Sequence, residues 1–499
     1  MNENRKNLSP IMLAGTGSDV GKSLLAAGLC RIFLQDGYAP APFKAQNMAL
    51  NSYATLDGLE IGRAQAVQAE AAGIPCCTDM NPLLLKPSGE RTSQVVLNGK
   101  PIGNRDAYEY FCREGREELR REVHRAFDRL SKRYNPIVLE GAGSISELNL
   151  RESDIVNMSM ARYADAKVIL VADIDRGGVF ASAYGSIMLQ REDDRKRIAG
   201  IIINKFRGDI RLFESGISMM EDICGVPVLG VVPYMTDIHI EEEDSMSLSM
   251  KAIGDNGCGK VKIAVVLLKH LSNFTDFDML ERNPMVRLFY TDVPADLENA
   301  DIVILPGSKS TLSDLYYLRK SGMAQAICNA YGNGKRVFGI CGGYQMMGME
   351  VCDPDSVEGE ISVLPGLGLL PVRTVIGREK ITRQVHFCFL GGDMVNDGYE
   401  IHAGDTVPTG DYMPMNRLED GSNDGCVVDE NCMGTYIHGI LDNKEIVDYL
   451  IRPYIGNSDI SDLPNYREYK EQQYNLLAER MREYVNIPRL YEIMGGNHD

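Results

Sequence analysis

Short, almost unbroken apolar runs alternate with longer stretches of helical periodicity through most of the chain. Ile137-Val138-Leu139, Val168-Ile169-Leu170-Val171 and Ile201-Ile202-Ile203 are such runs, each soon followed by Gly, Asp or Asn. An apolar run without alternation suits a strand buried on both faces of a parallel sheet, and the residues after it open a loop. The pattern predicts a doubly wound α/β domain over residues 8–240. It lapses over 241–260, where Glu241-Glu242-Glu243-Asp244, a Ser/Met stretch and Gly254-Asp255-Asn256-Gly257-Cys258-Gly259 read as an exposed linker. It resumes at Val261-Lys262-Ile263-Ala264-Val265-Val266 and continues through Ile302-Val303-Ile304-Leu305 and Val337-Phe338-Gly339-Ile340, predicting a second α/β domain over 261–455. Residues 456–499 read as a helical extension. There Tyr474, Leu477, Ala478, Met481 and Val485 share one helical face, the pattern of an amphipathic helix docked onto the domain before it.

Composition narrows the function classes. The chain has 499 residues, suited to two large domains, with 44% hydrophobic and 24% charged residues, as in ordinary globular proteins. A formal net charge of -18 argues against non-specific nucleic-acid binding, which needs a basic surface. The N-terminal MNENRKNLSPIM has no signal-peptide core, and no segment approaches the roughly 20 apolar residues of a membrane span. The 12 cysteines then read as free thiols of a cytoplasmic protein, and their spacings do not make a zinc site.

Two motifs carry chemistry. The first is Ile11-Met12-Leu13-Ala14 followed by Gly15-Thr16-Gly17-Ser18-Asp19-Val20-Gly21-Lys22-Ser23 and an apolar helical run. A strand, a glycine-rich turn and Gly-Lys-Ser at a helix start form a phosphate cradle of backbone N–H groups. Within it the Lys22 ammonium reaches the β- and γ-phosphates of ATP and the Ser23 hydroxyl ligates Mg²⁺. The strict spacing would need a glycine where Thr16 stands; Gly15 makes the loop one residue longer. That longer loop resembles the dethiobiotin synthetase group of P-loop enzymes. The resemblance implies that Lys44 is a second phosphate-binding lysine, that Glu140 holds Mg²⁺ opposite Ser23, and that Asn204 contacts the adenine. Glu60 is a weak candidate for a second Mg²⁺ carboxylate.

The second motif is Val337-Phe338-Gly339-Ile340-Cys341-Gly342-Gly343. A strand ending in Gly-x-Cys-x-Gly before a helix is a cysteine nucleophile elbow, and the helix N-terminus favours the thiolate. His438, in Gly434-Thr435-Tyr436-Ile437-His438-Gly439, is the candidate base. Pro306-Gly307-Ser308 and Gly342 would supply oxyanion-binding N–H groups. His402 reads as structural or substrate-facing. The order and spacing of Cys341 and His438 resemble class I glutamine amidotransferases. Most of that class carry a Glu two residues after the histidine; here that residue is Ile440, which leaves the third member open.

The likeness to one family runs almost end to end. Glu60-Ile61-Gly62-Arg63-Ala64-Gln65-Ala66, Asp79-Met80-Asn81-Pro82, Leu84-Leu85-Lys86-Pro87 and Asp173-Ile174-Asp175-Arg176-Gly177-Gly178-Val179-Phe180 resemble the cobyric acid synthase family. So do Pro306-Gly307-Ser308-Lys309-Ser310-Thr311 and Gly398-Tyr399-Glu400-Ile401-His402. This resemblance implies ATP- and glutamine-dependent amidation of the b, d, e and g carboxylates of adenosylcobyrinic acid a,c-diamide, with no membrane or nucleic-acid partner and a homo-oligomer left open. It also implies that the branch manages glutamine hydrolysis with the Cys–His pair alone. Arg63, Lys86, Arg151 and Arg176 lie in or near these segments and are candidates for a locally basic corrinoid surface. The sibling cobyrinic acid a,c-diamide synthase carries a Gly-Pro-Asp segment where this chain has Lys44-Ala45-Gln46-Asn47-Met48. That sibling, and a non-catalytic P-loop switch with a decayed amidotransferase domain, are the alternatives. A lipid II amidating pair is more distant, since it usually divides the two domains between chains.

Overall fold

The computed structural model of the chain describes residues 7–87, 92–106, 116–241, 259–456 and 465–496. The apolar runs of the first half form one parallel sheet. Its strands are β1 (Ile11–Gly15), β2 (Ala41–Phe43), β3 (Ile137–Glu140), β4 (Lys167–Asp173), β5 (Ile198–Phe206) and β6 (Val228–Pro233). In space they run β6-β5-β4-β1-β3-β2. Alternate residues feed two cores: Ile11, Leu13, Val138 and Ile169 pack on one face, Met12, Leu139 and Leu170 on the other. Strand order turns back at β1, and ligands bind at the carboxyl ends of strands beside such a switch point. The phosphate-loop motif and Glu140 both sit there.

The second half repeats the architecture with β7 (Val261–Val266), β8 (Val286–Thr291), β9 (Ile302–Leu305), β10 (Arg336–Ile340), β11 (Cys426–Asp429) and β12 (Cys432–Thr435). Their order is β8-β7-β9-β10-β12-β11, parallel except for the β11–β12 pair. A long hairpin, Val372–Phe389 with Val395–Pro408, stands beside this sheet, and the short strand Ile437–His438 joins its edge with Tyr399 opposite His438. Among the described residues no helix is long and apolar enough to cross a membrane.

Two expectations are corrected by long-range packing. The C-terminal helix Tyr466–Tyr484 docks on the first domain, not on the one before it. Tyr474, Leu477, Ala478, Met481 and Val485 are all buried there against the helix Lys22–Gln35 and the first sheet. Gly28 makes the approach: a Cβ at that position would stand 2.0 Å from Met481 Sδ. Tyr474 Oη donates to Glu70 at 2.9 Å, and Asn486 N donates to Leu229 O at 2.7 Å. The second correction concerns Glu241. Its side chain is only 2% exposed and pairs with Arg63 at 2.5 Å, so it belongs to the packed body and not to an exposed linker. The rest of the expected linker, 242–258, lies outside the described residues.

The two α/β domains touch along a polar seam. Lys380 of the long hairpin pairs with Glu60 at 2.5 Å, Gln384 donates to Ala54 O at 3.0 Å, and Lys309 donates to Gln94 at 2.9 Å. The Tyr53 and Tyr399 rings meet edge-on at 4.7 Å.

Candidate active sites

The glycine-rich turn folds as a phosphate loop. Thr16 N donates to Val171 O at 3.0 Å, Gly21 has φ 94° and caps the helix Lys22–Gln35, and Lys22 doubles back across the turn. Its Nζ donates to Gly17 O at 3.0 Å and Gly143 O at 3.1 Å. Only glycine fits at position 15, because a Cβ there would stand 2.7 Å from Gly17 O and 2.9 Å from Gly143 O, both backbone atoms. Gly21 is needed on two counts, since a Cβ would also strike Asn204 Nδ2 at 2.1 Å. Asn204 donates to Val20 O at 2.8 Å, so the residue expected at the adenine edge also braces the loop.

Glu140 gathers the other polar groups. Ser23 Oγ donates to Glu140 Oε1 at 2.7 Å, Lys44 Nζ lies 2.8 Å from the same oxygen, and Gln68 Nε2 donates to Oε2 at 2.6 Å. Burial alone would raise this carboxyl, but Lys44 beside it, with the bonds from Gln68 and Ser23, holds it below the usual carboxylate range. Glu140 therefore stays ionised. A hydroxyl and a carboxylate oxygen this close fit Mg²⁺, a hard cation that takes one or two protein oxygens and completes its shell with phosphate and water. Among the described residues no cluster of three or more His, Cys, Asp or Glu could hold a metal. Around these groups lies a cleft of about 890 Å³, whose walls include Asn47, Met48, Arg151, Arg176 and Asn204.

Three sequence candidates are not in that cleft. Glu60 is buried at the domain seam between Lys86, at 2.7 Å, and Lys380, and these two lysines overcome its burial to hold it well below the usual range. It is not placed to ligate Mg²⁺ beside Ser23. Arg63 and Lys86 are each 4% exposed and engaged with Glu241 and Glu60, so neither offers surface charge to a corrinoid. A buried ion pair holds its partners in place, because removing one strands the other's charge.

In the second domain the cysteine sits on a strained turn. Cys341 has φ 51° and ψ -108°, a conformation that costs of order 1–3 kcal/mol for a non-glycine residue and clusters at functional sites. Surrounding contacts enforce it: Cys341 N donates to Thr435 O at 2.8 Å and Gln345 N to Cys341 O at 3.0 Å. A Cβ on Gly342 would stand 2.7 Å from Ser308 N, so the segment expected to bind an oxyanion does lie against the elbow. A Cβ on Gly307 would stand 3.1 Å from His438 Cε1. Burial pushes the Cys426 thiol up to about 11 and Cys30 and Cys432 higher still, which disfavours their reactive thiolate forms.

His438 is 1% exposed and its Nδ1 lies 2.7 Å from Asp276 Oδ2, while Gly439 N donates to Asp276 Oδ1 at 2.9 Å. Burial alone would lower the imidazole, but the charge of the Asp276 carboxylate, together with Cys341 on its other side, raises it to about 10. Nothing in the sequence marks Asp276, since Asn273-Phe274-Thr275-Asp276 follows no motif and precedes the histidine by most of the domain. Ile440, at the position of the expected acid, is a fully buried core residue. His402 is structural: it stacks on Tyr436 at 3.6 Å, its Nδ1 lies 2.8 Å from Gly404 O, and burial pushes it down to about 4.

Relatives place these two sites in one family. Residues 11–248 match the CobQ/CobB/MinD/ParA nucleotide binding domain, and residues 262–446 match the CobB/CobQ-like glutamine amidotransferase domain. A cobyric acid synthase of Phocaeicola vulgatus is 67% identical, covering 99% of this chain and 100% of the relative. One from Bacteroides fragilis is 67% identical over 99% of both chains. One from Syntrophobacter fumaroxidans is 47% identical over 97% of this chain and 98% of its own length. A nucleotide-binding domain followed by a glutamine amidotransferase domain, aligned end to end with these synthases, makes this chain a member of the cobyric acid synthase family.

Proposed function

We propose that this chain amidates the b, d, e and g carboxylates of adenosylcobyrinic acid a,c-diamide, using ATP to activate each carboxylate and glutamine to supply nitrogen. The observation that carries this reading is a phosphate-loop cleft joined in one chain to a separate cysteine–histidine pair on a strained turn. Residues 8–240 would carry the synthetase chemistry and 261–455 the glutaminase chemistry.

A carboxylate resists attack by ammonia at neutral pH. In the first domain the loop of Gly15, Thr16, Gly17, Val20 and Gly21, with Lys22 and Lys44, would hold the ATP phosphates in line with a substrate carboxylate. Asn204 would keep the loop in shape and meet the adenine edge. Ser23 and Glu140 would hold Mg²⁺, which supplies charge neutralisation at the β- and γ-phosphate oxygens when bound. Transfer of the γ-phosphoryl group to the carboxylate leaves ADP and an acyl phosphate. Ammonia then forms the C–N bond, and phosphate leaves. Arg151 and Arg176 lie on the cleft wall, and there they would meet corrinoid carboxylates.

In the second domain the Cys341 thiolate would attack the glutamine carboxamide carbon. The oxyanion would face N–H groups of the Gly307–Ser308 segment and Gly342. His438 gives its proton to the departing nitrogen, so ammonia leaves and a glutamyl thioester remains. Water then adds to the thioester, His438 takes its proton, and glutamate is released. Two features favour this reading over its rivals. Backbone strain retained at Cys341 has no use in a decayed binding module, and Asn47 and Met48 of the segment that departs from the a,c-diamide sibling form part of the cleft wall. A cytoplasmic site of action suits an enzyme that consumes ATP and glutamine.

The test is incubation with adenosylcobyrinic acid a,c-diamide, ATP, Mg²⁺ and amide-¹⁵N glutamine, followed by mass spectrometry of the corrinoid. Four ¹⁵N atoms per corrinoid are expected. A corrinoid without label, or, in a parallel arm supplied with cobyrinic acid, label that enters only its a and c positions, would overturn the assignment.

A further inference from the structure

The glutaminase site as proposed above contains a buried carboxylate that the cysteine–histidine scheme does not use. We propose that Asp276 orients His438 in glutamine hydrolysis, in place of an acid following the histidine in sequence, and that the first domain braces Asp276 through the paired hydrogen bonds of Asn51 and Ser52 with Asn273. This inference rests on the glutaminase reading of Cys341 and His438.

Both oxygens of Asp276 are committed to one step of the chain: Oδ2 lies 2.7 Å from His438 Nδ1 and Oδ1 accepts from Gly439 N at 2.9 Å. The carboxylate is 2% exposed and the imidazole 1%. An ionised carboxylate only accepts hydrogen bonds, so it fixes the proton on Nδ1 and turns Nε2 toward Cys341. That is the tautomer the chemistry needs, because Nε2 must trade a proton with the glutamine nitrogen and with water. Asp276 itself neither gives nor takes a proton; it stabilises the imidazolium formed in the pair. The raised position of His438, against its burial, is in line with this role. Ile440 cannot do the same work, since it is apolar and packed in the core.

Asp276 belongs to the short turn Phe274–Phe277, whose first bond runs from Asp276 N to Asn273 O at 3.1 Å. Asn273 precedes the turn with φ 54° and ψ 44°, a left-handed conformation that asparagine tolerates better than most residues. The first domain holds it there from both sides. Asn273 N donates to Asn51 Oδ1 at 2.7 Å, and Ser52 N donates to Asn273 Oδ1 at 3.1 Å. Asn51 O in turn accepts from Arg63 N, at the start of the helix Arg63–Ala71. The orienting acid of the glutaminase is thus set on a turn whose shape depends on the synthetase domain.

The experiment measures glutaminase kcat and KM, the pH titration of His438 by ¹⁵N NMR, and ammonium-supported amidation, in the full chain. Asp276→Asn should lower glutaminase kcat by about 10²-fold or more with little change in KM, and move the His438 titration from near 10 toward the ordinary value of about 6.5. Asp276→Glu should recover part of kcat and restore the raised titration. Asn51→Ala should lower glutaminase kcat by about tenfold and shift His438 in the same direction, although the substituted residue belongs to the other domain. Ammonium-supported amidation should be unchanged in all three. Wild-type kcat in Asp276→Asn, or a loss of kcat with the His438 titration unmoved, would overturn the orienting role. Unchanged glutaminase in Asn51→Ala would overturn the bracing. Should Asp276→Asn fail to fold, Asp276→Glu and Asn51→Ala decide the matter on the same readouts. Absence of ammonium-supported amidation in the wild-type chain would count against the proposed function and leave the triad standing on its glutaminase data.

Discussion

The two proposed sites would solve different chemical problems, and their construction differs accordingly. The proposed glutaminase site is closed and set by backbone: Cys341 is 6% exposed on a strained turn, with His438 and Asp276 buried behind it. The phosphate-loop site is an open cleft of about 890 Å³ in which side-chain charge does the positioning, through Lys22, Lys44 and Glu140. A covalent nucleophile must meet one small carboxamide in one geometry, so a rigid, dry pocket suits it. Several carboxylates of a large substrate must each reach the same phosphoryl group, and an open charged cleft permits that. The difference teaches where substitutions should act: charge deletions hurt the first domain, and small steric or tautomeric changes hurt the second.

The largest effect expected from breaking this comparison on the synthetase side is that of Lys22→Ala. It should lower ATP-dependent amidation by about 10²–10³-fold or more with glutamine or with ammonium, while glutamine hydrolysis continues. Product formation near the wild-type rate would remove the phosphate loop from the mechanism. Next comes the packing that joins the chain's end to its beginning. Met481→Ala should cost about 2–5 kcal/mol in denaturant unfolding, because the sulfur fills the space left by Gly28. A loss below about 0.5 kcal/mol would mean the C-terminal helix contributes little to the first domain.

Two histidines of the closed site sharpen the comparison through pH. His402, near 4 when folded, stays neutral while an unfolded histidine near 6.5 takes up a proton. Stability is therefore lost as pH falls from about 6.5 to 4, by up to about 3 kcal/mol. His438, near 10 when folded, acts in the opposite sense: its contribution is complete below about 6.5 and is lost as pH rises through 10. The Tm difference between wild type and His402→Asn should move in the variant's favour as pH falls through the first window. Parallel curves would contradict the assignment. The smallest effect is expected of Ile440→Ala, whose glutaminase kcat in folded protein should stay within about tenfold, or roughly 1.4 kcal/mol, of wild type. A larger fall would give this position a role in orienting His438.

Much of this arrangement was legible in the sequence where the signal is local. A strand, a glycine-rich turn and a helix start place Lys22, Ser23 and the loop. A strand and its flanking glycines place Cys341, and unbroken apolar runs place both sheets. The residues that were not legible are those whose setting depends on packing between distant segments. Arg63 and Lys86 read as surface charge because nothing near them in sequence names Glu241 and Glu60 as partners. The C-terminal helix has a clear apolar face, but periodicity does not say which domain receives it. Asp276 reaches His438 only through the fold of a domain in which the two lie on separate elements.

The two sites should be separable, and one variant tests that most directly. Cys341→Ala should abolish the use of glutamine, by on the order of 10⁶ in kcat as for deletion of other nucleophiles. The first domain, with Lys22, Ser23, Lys44 and Glu140 intact, should still activate carboxylates. The decisive measurement is ¹⁵N incorporation into the corrinoid by this variant, with amide-¹⁵N glutamine in one arm and ¹⁵N-ammonium chloride at alkaline pH in the other. The account predicts no label from glutamine and full amidation from ammonium. Label from glutamine, or a folded variant that ammonium fails to rescue, would contradict it.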